Sequence, residues 1–307
     1  MTTRSVTRRD LLAGAAFALA AGRLQAFKSH IGKSKISAIT DEIGKTQAEA
    51  IEFAHRYNMQ WVELRNVPET KKEYSFLTEP ELKAAAAELA SNKLKVSFLN
   101  SSLLKFTWPG TNPAGTKKDP DQKKWDRRKE YFESTLRAAN ILGVDKIRVF
   151  AGTRDEHPET TYPLIVRTLE ELIPLAEKAK VKILLENENS QNIGTSPELK
   201  AIFELIPSKT VGYNWDPGNA QSLKEVPWPD GYAVLPKSRM LNVQFKAKNI
   251  LEDSPDHIDW KAIMEAMQKD NYQGELGLET HSSAGPGLIE NANQSMKAMM
   301  RIAGELS

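Results

Sequence analysis

Three carboxylates, Glu186, Asp216 and Glu279, stand at the ends of short β-type runs: "KILLENEN" (182–189), "VGYNWD" (211–216) and "GELGLET" (274–280). None has a lysine or arginine beside it in the chain. Ionised acids gathered in a partly desolvated cavity repel one another unless a cation joins them. If folding collects these three, they call for a divalent metal ion. The competing arrangement is a set of internal salt bridges with Arg65, Arg148 and Lys246. A divalent ion polarises a carbonyl or an adjacent hydroxyl and makes the neighbouring carbon-bound proton more acidic. Carboxylates on either side of a substrate can then remove and return that proton. That chemistry isomerises or epimerises a sugar, or eliminates a β-leaving group if the sugar carries one.

The elements that must position these residues follow a regular alternation. β-Type runs occur at "ISAITDE" (36–42), "WVELRN" (61–66), "KVSFLNS" (95–101) and "KIRVFAG" (146–152). They continue at 182–189, 211–216, "LNVQFKA" (241–247) and 274–280, with helix-period segments such as "TEPELKAAAAELASNK" between them. Such alternation predicts parallel βαβ units. Eight of them predict an α/β fold, a single (β/α)8 TIM barrel with parallel strands. Alternate strand residues face opposite sides. Glu63 with Arg65, Glu186 with Glu188, Asn214 with Asp216, Gln244 with Lys246, and Gly277 with Glu279 therefore share the polar faces, opposite residues such as Leu185, Trp215, Phe245 and Leu278. The polar faces are expected to converge on the barrel mouth, where active sites of this fold lie.

Composition narrows the function. The chain has 307 residues, a formal net charge of +2 and no cysteine, which excludes disulfides and thiolate chemistry. No glycine-rich phosphate loop follows any strand. Residues 1–26 carry Arg8–Arg9, a short apolar stretch and "LQA" before Phe27, the layout of a twin-arginine signal peptide. The expected organisation is this signal over 1–26 and the barrel over 27–307. The export machinery would be a partner of the precursor, and the mature protein would be periplasmic or secreted, with no stable membrane insertion. Removing the signal takes away four arginines and one aspartate, leaving a charge near zero and nothing to suggest nucleic-acid binding. Homo-oligomerisation is left open.

The motifs "ISAITDEI", "WVELR", "RVF", "LLENEN", "GYNWDPGNA", "NVQFKAK" and "GELGLET", in this order, resemble the xylose isomerase-like superfamily of sugar-phosphate isomerases and epimerases. The resemblance covers nearly all of residues 35–305. It implies a divalent ion held by a glutamate, an aspartate, a histidine and a glutamate from strands five to eight, here Glu186, Asp216, Gln244 and Glu279. It also implies acid/base roles for Glu186 and Glu279. Lys246 could stabilise an enediolate or orient a hydroxyl, or simply neutralise the carboxylate cluster. Two departures stand out. Gln244 occupies the histidine position of strand seven, and "ENE" places Glu188 where "ENH" is common. With the amide oxygen of Gln244, the ligand set is all oxygen and favours a hard ion, Mn²⁺ or Mg²⁺.

The substrate implied is a small sugar, and export favours a non-phosphorylated sugar or keto-sugar. Around the metal, Arg65, Glu188 and Lys105 are candidates for substrate hydroxyls. Trp108, in the long loop 106–130, is a candidate stacking platform. Asn219 could reach substrate or serve a helix N-terminus. His281, of the same parity as Glu279, is a further candidate ligand or a rim residue. The enzymatic rival is a lyase that expels the aglycone of an oxidised (3-keto) glycoside, and the non-enzymatic rival is a sugar-binding barrel. A DNA-repair nuclease of the same superfamily would call for a basic groove and more than five histidines.

Overall fold

The computed structural model describes residues 31–306, apart from 116–118, 282 and 284 and the side chains of 247 and 248. The expected signal segment, 1–26, lies outside the described residues. Eight parallel strands run in sequence: β1 (Ile36–Ala38), β2 (Trp61–Leu64), β3 (Lys95–Leu99), β4 (Lys146–Val149), β5 (Lys182–Glu186), β6 (Val211–Trp215), β7 (Met240–Lys246) and β8 (Glu275–Glu279). Each pairs with its sequence neighbour from β2 to β8, and β8 pairs with β1. The remaining seam, β1 against β2, is joined by one parallel bridge between Ile39 and Glu63. The product is a nearly closed (β/α)8 barrel.

The helices are α1 (Gln47–Arg56), α2 (Glu79–Ser91), α3 (Arg128–Leu142), α4 (Tyr162–Ala179), α5 (Ser196–Leu205), α6 (Pro217–Ser222), α7 (Trp260–Lys269) and α8 (Leu288–Glu305). Three of them start on the same four-residue device. In "TQAE", "TEPE" and "TSPE" the threonines Thr46, Thr78 and Thr195 accept from the N–H of the glutamate three residues on. Each glutamate side chain returns to its threonine's N–H. These capping boxes satisfy amides that a helix start otherwise leaves unpaired. At the other end, α3 stops at Gly143, whose φ of 70° is the left-handed turn that glycine takes without strain.

Strand parity is as the sequence indicates. The outward residues Tyr213 and Phe245 pack on Phe203 of α5 and Trp260 of α7, with ring centroids 5.3 and 5.8 Å apart. Strand ends are earlier than the β-type runs suggest, and the reason is local. The β5–β6 ladder stops at Glu186–Asn214, after which the Asn187 amide takes over. Asn187 Nδ2 donates to the Asp216 carbonyl, and Asp216 N–H donates to Asn187 Oδ1, both at 2.7 Å. Beyond β1, residues Thr40–Ile43 form a helical turn rather than more strand, and this turn carries Asp41 and Glu42 to the mouth.

One inward position depends on having no side chain. A Cβ on Gly277 would lie 2.0 Å from Glu63 Oε1, so the Glu63 carboxylate reaches across the barrel into the space glycine leaves. Gly277→Ala is expected to cost about 1–3 kcal/mol by overpacking. In a Glu63→Ala background the cost should largely disappear, which a denaturation double-mutant cycle measures. An equal cost in both backgrounds would contradict this packing.

Candidate active site

β5, β6 and β8 bring Glu186, Asp216 and Glu279 together at the C-terminal mouth, all essentially buried. One carboxylate oxygen from each lies within 4.8 Å of the other two. The chain's own cations are threaded between them. Lys246 Nζ is 2.9 Å from Asp216 Oδ2 and 2.9 Å from Glu279 Oε2. Arg148 Nη1 is 3.1 Å from Glu186 Oε2 and 3.4 Å from Glu279 Oε1. Asn214 Nδ2 donates to Glu186 Oε2 at 2.6 Å. Both arrangements expected from sequence are thus present at once: a convergent carboxylate triad, and internal salt bridges through Arg148 and Lys246.

The electrostatics differ within the triad. Burial pushes Asp216 up to about 7 against the pull of Lys246, and it raises Glu186 against Arg148. Burial also opposes the charge on Glu279, but Lys246, His281 and Arg148 outweigh it and hold that carboxyl well below its usual range. Lys246 is itself held far above its ordinary value: desolvation is overcome by Asp216, Glu279 and Glu186.

A second polar layer lies beneath. Glu63 Oε1 accepts from Ser37 Oγ and Asn242 Nδ2, each at 3.2 Å. Glu63 Oε2 accepts from Asn100 Nδ2 at 2.8 Å and Gln244 Nε2 at 2.6 Å. Because Gln244 spends its N–H on Glu63, its carbonyl oxygen is left buried with no hydrogen-bond partner. A buried acceptor without a donor suits a cation. Together with the three carboxylates it makes an oxygen-only donor set that could hold a divalent metal, with hard ions preferred over zinc.

At the rim the expected substrate residues are drawn into pairs. Lys105 Nζ bonds Glu188 Oε2 at 2.9 Å; burial works against the Glu188 charge, yet Lys105 keeps its carboxyl below the usual range. Arg65 Nη2 lies 3.0 Å from Asp41 and 2.9 Å from Glu42, with Nη1 3.7 Å from Glu279. His281 donates from Nδ1 to Glu42 at 2.5 Å and reaches Glu279 from Nε2 at 3.0 Å. The charge of Glu279 pushes His281 up to about 10, so it is doubly protonated at neutral pH. Glu42, Glu279 and His281 also lie close enough together to form a second group that could hold a metal ion.

One reading is corrected. Trp108 has no exposed surface: its Nε1 donates to the Leu104 carbonyl, its ring packs 5.3 Å from Trp125, and it lies under Gly152. It anchors the 106–130 loop and offers no face to a sugar. Asn219 serves the start of α6, where its N–H donates to Asp216 Oδ1 and its Nδ2 to the Asn187 carbonyl. Glu42 and Asn100 were not singled out from sequence, and Glu63 and Asn214 were placed on the inner polar faces without a role. A signal existed for some of them, since Glu63 and Asn214 interrupt otherwise apolar runs.

Glu63 gives a pH prediction. Burial, against four hydrogen bonds, pushes its carboxyl up to about 7. The folded state then binds this proton more tightly than the unfolded chain does. Its contribution is greatest below the unfolded value and is lost as pH rises through about 7, on the order of 3 kcal/mol. Glu63→Gln removes that slope. Its new N–H₂ can be met by the unpaired oxygens of Asn100, Asn242 or Gln244. The wild-type advantage over Glu63→Gln in urea denaturation should therefore shrink from about pH 5 to about pH 8. A constant difference would contradict a shifted Glu63.

Comparison with known proteins agrees with this architecture. No curated protein matches the chain. Among solved structures, a zinc-binding IOLI protein superposes with a TM-score of 0.67 at 14% identity, covering 89% of this chain and 99% of that one. A 3-keto-D-glucoside 4-epimerase from E. coli gives 0.65 at 14% identity, covering 88% and 99%. A magnesium complex of a xylose isomerase-like TIM barrel protein from Mycobacterium smegmatis gives 0.64 at 14% identity, covering 89% and 98%. The family model for the xylose isomerase-like TIM barrel matches residues 51–302. The chain belongs to the xylose isomerase-like TIM barrel family.

Proposed function

We propose that this barrel is a divalent-metal-dependent sugar isomerase or epimerase that moves a proton on the carbon next to a carbonyl. The observation that carries the reading is the convergence of Glu186, Asp216 and Glu279 within 4.8 Å, with the unpartnered buried oxygen of Gln244 on β7 as a fourth candidate donor. These four residues would hold Mn²⁺ or Mg²⁺, and the bound ion would polarise the substrate carbonyl and acidify the adjacent C–H. Similarity to a sugar epimerase and to metal-binding barrels supports the same class.

The chain's own groups supply the rest. Glu186 and Glu279 come from strands on different sides of the mouth and exchange the proton with the substrate carbon. Arg148 bridges the two and fixes their separation, while Asn214 orients Glu186 from below. Lys246 neutralises Asp216 and Glu279 and offers N–H donors to an oxygen that gains charge. Glu188, Lys105 and Arg65 would meet substrate hydroxyls. Six carboxylates (Asp41, Glu42, Glu186, Glu188, Asp216 and Glu279) face five cations (Arg65, Lys105, Arg148, Lys246 and His281). With residues 1–26 acting as a twin-arginine signal, the reaction would take place in the periplasm, on a free sugar or keto-sugar.

The test is deuterium incorporation from D₂O into a panel of free ketoses and keto-glycosides with Mn²⁺ present, followed by NMR. Wild type should exchange the proton next to the carbonyl, and Glu186→Gln should be slower by roughly 10²–10⁴-fold. A chelator should abolish the exchange. Release of an aglycone instead of a new sugar would identify the lyase reading. Saturable binding with no exchange in any member of the panel would leave only a sugar-binding barrel.

A further inference from the structure

Beside the mouth, the loops after β2 and β3 and the start of α3 enclose a cavity of about 790 Å³. That is ample for a small-molecule ligand. None of the triad carboxylates lines it, but one of its lining residues, Lys105, reaches toward them. Lys105 lines the cavity, bonds Glu188 at 2.9 Å and lies 4.5 Å over the Phe150 ring. The guanidinium of Arg148, which grips Glu186 and Glu279, lies 4.8 Å from that ring. A ligand with one ring at the triad would therefore pass Lys105 to place a second ring in the cavity.

The lining states what the second ring should be. Phe76 is 51% exposed, the only aromatic among the strongly exposed large hydrophobic residues described. Its ring sits 4.6 Å from Tyr131, whose hydroxyl is fixed by Glu73 at 2.5 Å and meets the N–H of Ser102 at 3.1 Å. A half-open aromatic face suits the C–H face of a pyranose. The surrounding hydroxyl, ammonium and carboxylate groups suit its hydroxyls. Five cationic and four anionic side chains line the cavity, so its charge is nearly balanced and does not select a phosphate.

Resting on the sugar reading above, we infer that this cavity is a second sugar subsite and that the substrate class is a neutral glycoside of at least two rings, with Phe76 as the stacking platform. The isomerised or epimerised ring sits at the triad, and the attached sugar sits between Phe76 and Lys105.

The experiment is calorimetric titration of the purified chain with cellobiose, maltose and trehalose against D-glucose. At least one disaccharide should bind about tenfold or more tighter than glucose. Phe76→Ala should reduce that ratio by about three- to tenfold, the loss of one ring-stacking contact. Ser134→Trp, which fills the cavity from α3, should remove the preference altogether. No preference for any disaccharide, or a preference that survives both variants, would overturn the assignment. The D₂O experiment separates the two readings. Disaccharide preference without exchange leaves the subsite standing and removes the isomerase. Exchange without disaccharide preference does the reverse.

Discussion

Everything at the mouth depends on neutralising three carboxylates that the barrel forces together out of water. Glu186, Asp216 and Glu279 are each almost wholly buried, and no neighbour in the chain offsets their charge. Leaving such charges unpaired would cost several kcal/mol apiece. The structure answers with Lys246 and Arg148, each touching two of the three, and the outer pairs formed by Arg65, His281 and Lys105 extend the same solution to the rim. Even with His281 protonated, acids outnumber bases there, and the Gln244 oxygen still lacks a donor. A divalent cation would meet both conditions.

The layer beneath makes that arrangement specific. Glu63 gathers Ser37, Asn100, Asn242 and Gln244 around one carboxylate, and Gly277 leaves the space for it to do so. By taking the Gln244 N–H₂, Glu63 decides which end of that amide remains free. Where a histidine would offer a single ring nitrogen, glutamine needs such an orienting partner to present oxygen. The glutamine on β7 and the glutamate on β2 are therefore one device.

Much of this was legible in the chain. The eight β-type runs and the T-x-x-E helix starts are local signals, and strand parity puts Glu186, Gln244, Lys246 and Glu279 on the inner face without further information. What was not legible depended on contacts between distant segments. Trp108 looks like an exposed loop aromatic, and only the approach of Gly152 and Trp125 shows it to be buried. His281 meets Glu42 only because a helical turn, which the β-type run "ISAITDE" conceals, carries that carboxylate to it. Of the two roles the sequence left open for Asn219, its bonds to Asp216 and Asn187 fit the one at the start of α6. Phe76 gave no sequence signal, because its meaning comes from a cavity shared by two loops.

The central claim is that Glu186, Asp216, Gln244 and Glu279 together bind one hard divalent ion. The most direct measurement is a Mn²⁺ titration followed by the loss of the free-ion EPR signal, on wild type and on Gln244→Leu and Glu279→Gln. One ion per chain is predicted for wild type, with affinity weakened in Gln244→Leu and lost in Glu279→Gln. An unchanged spectrum with wild type at millimolar Mn²⁺ would contradict the claim, and would mean that Lys246 and Arg148 alone neutralise the site.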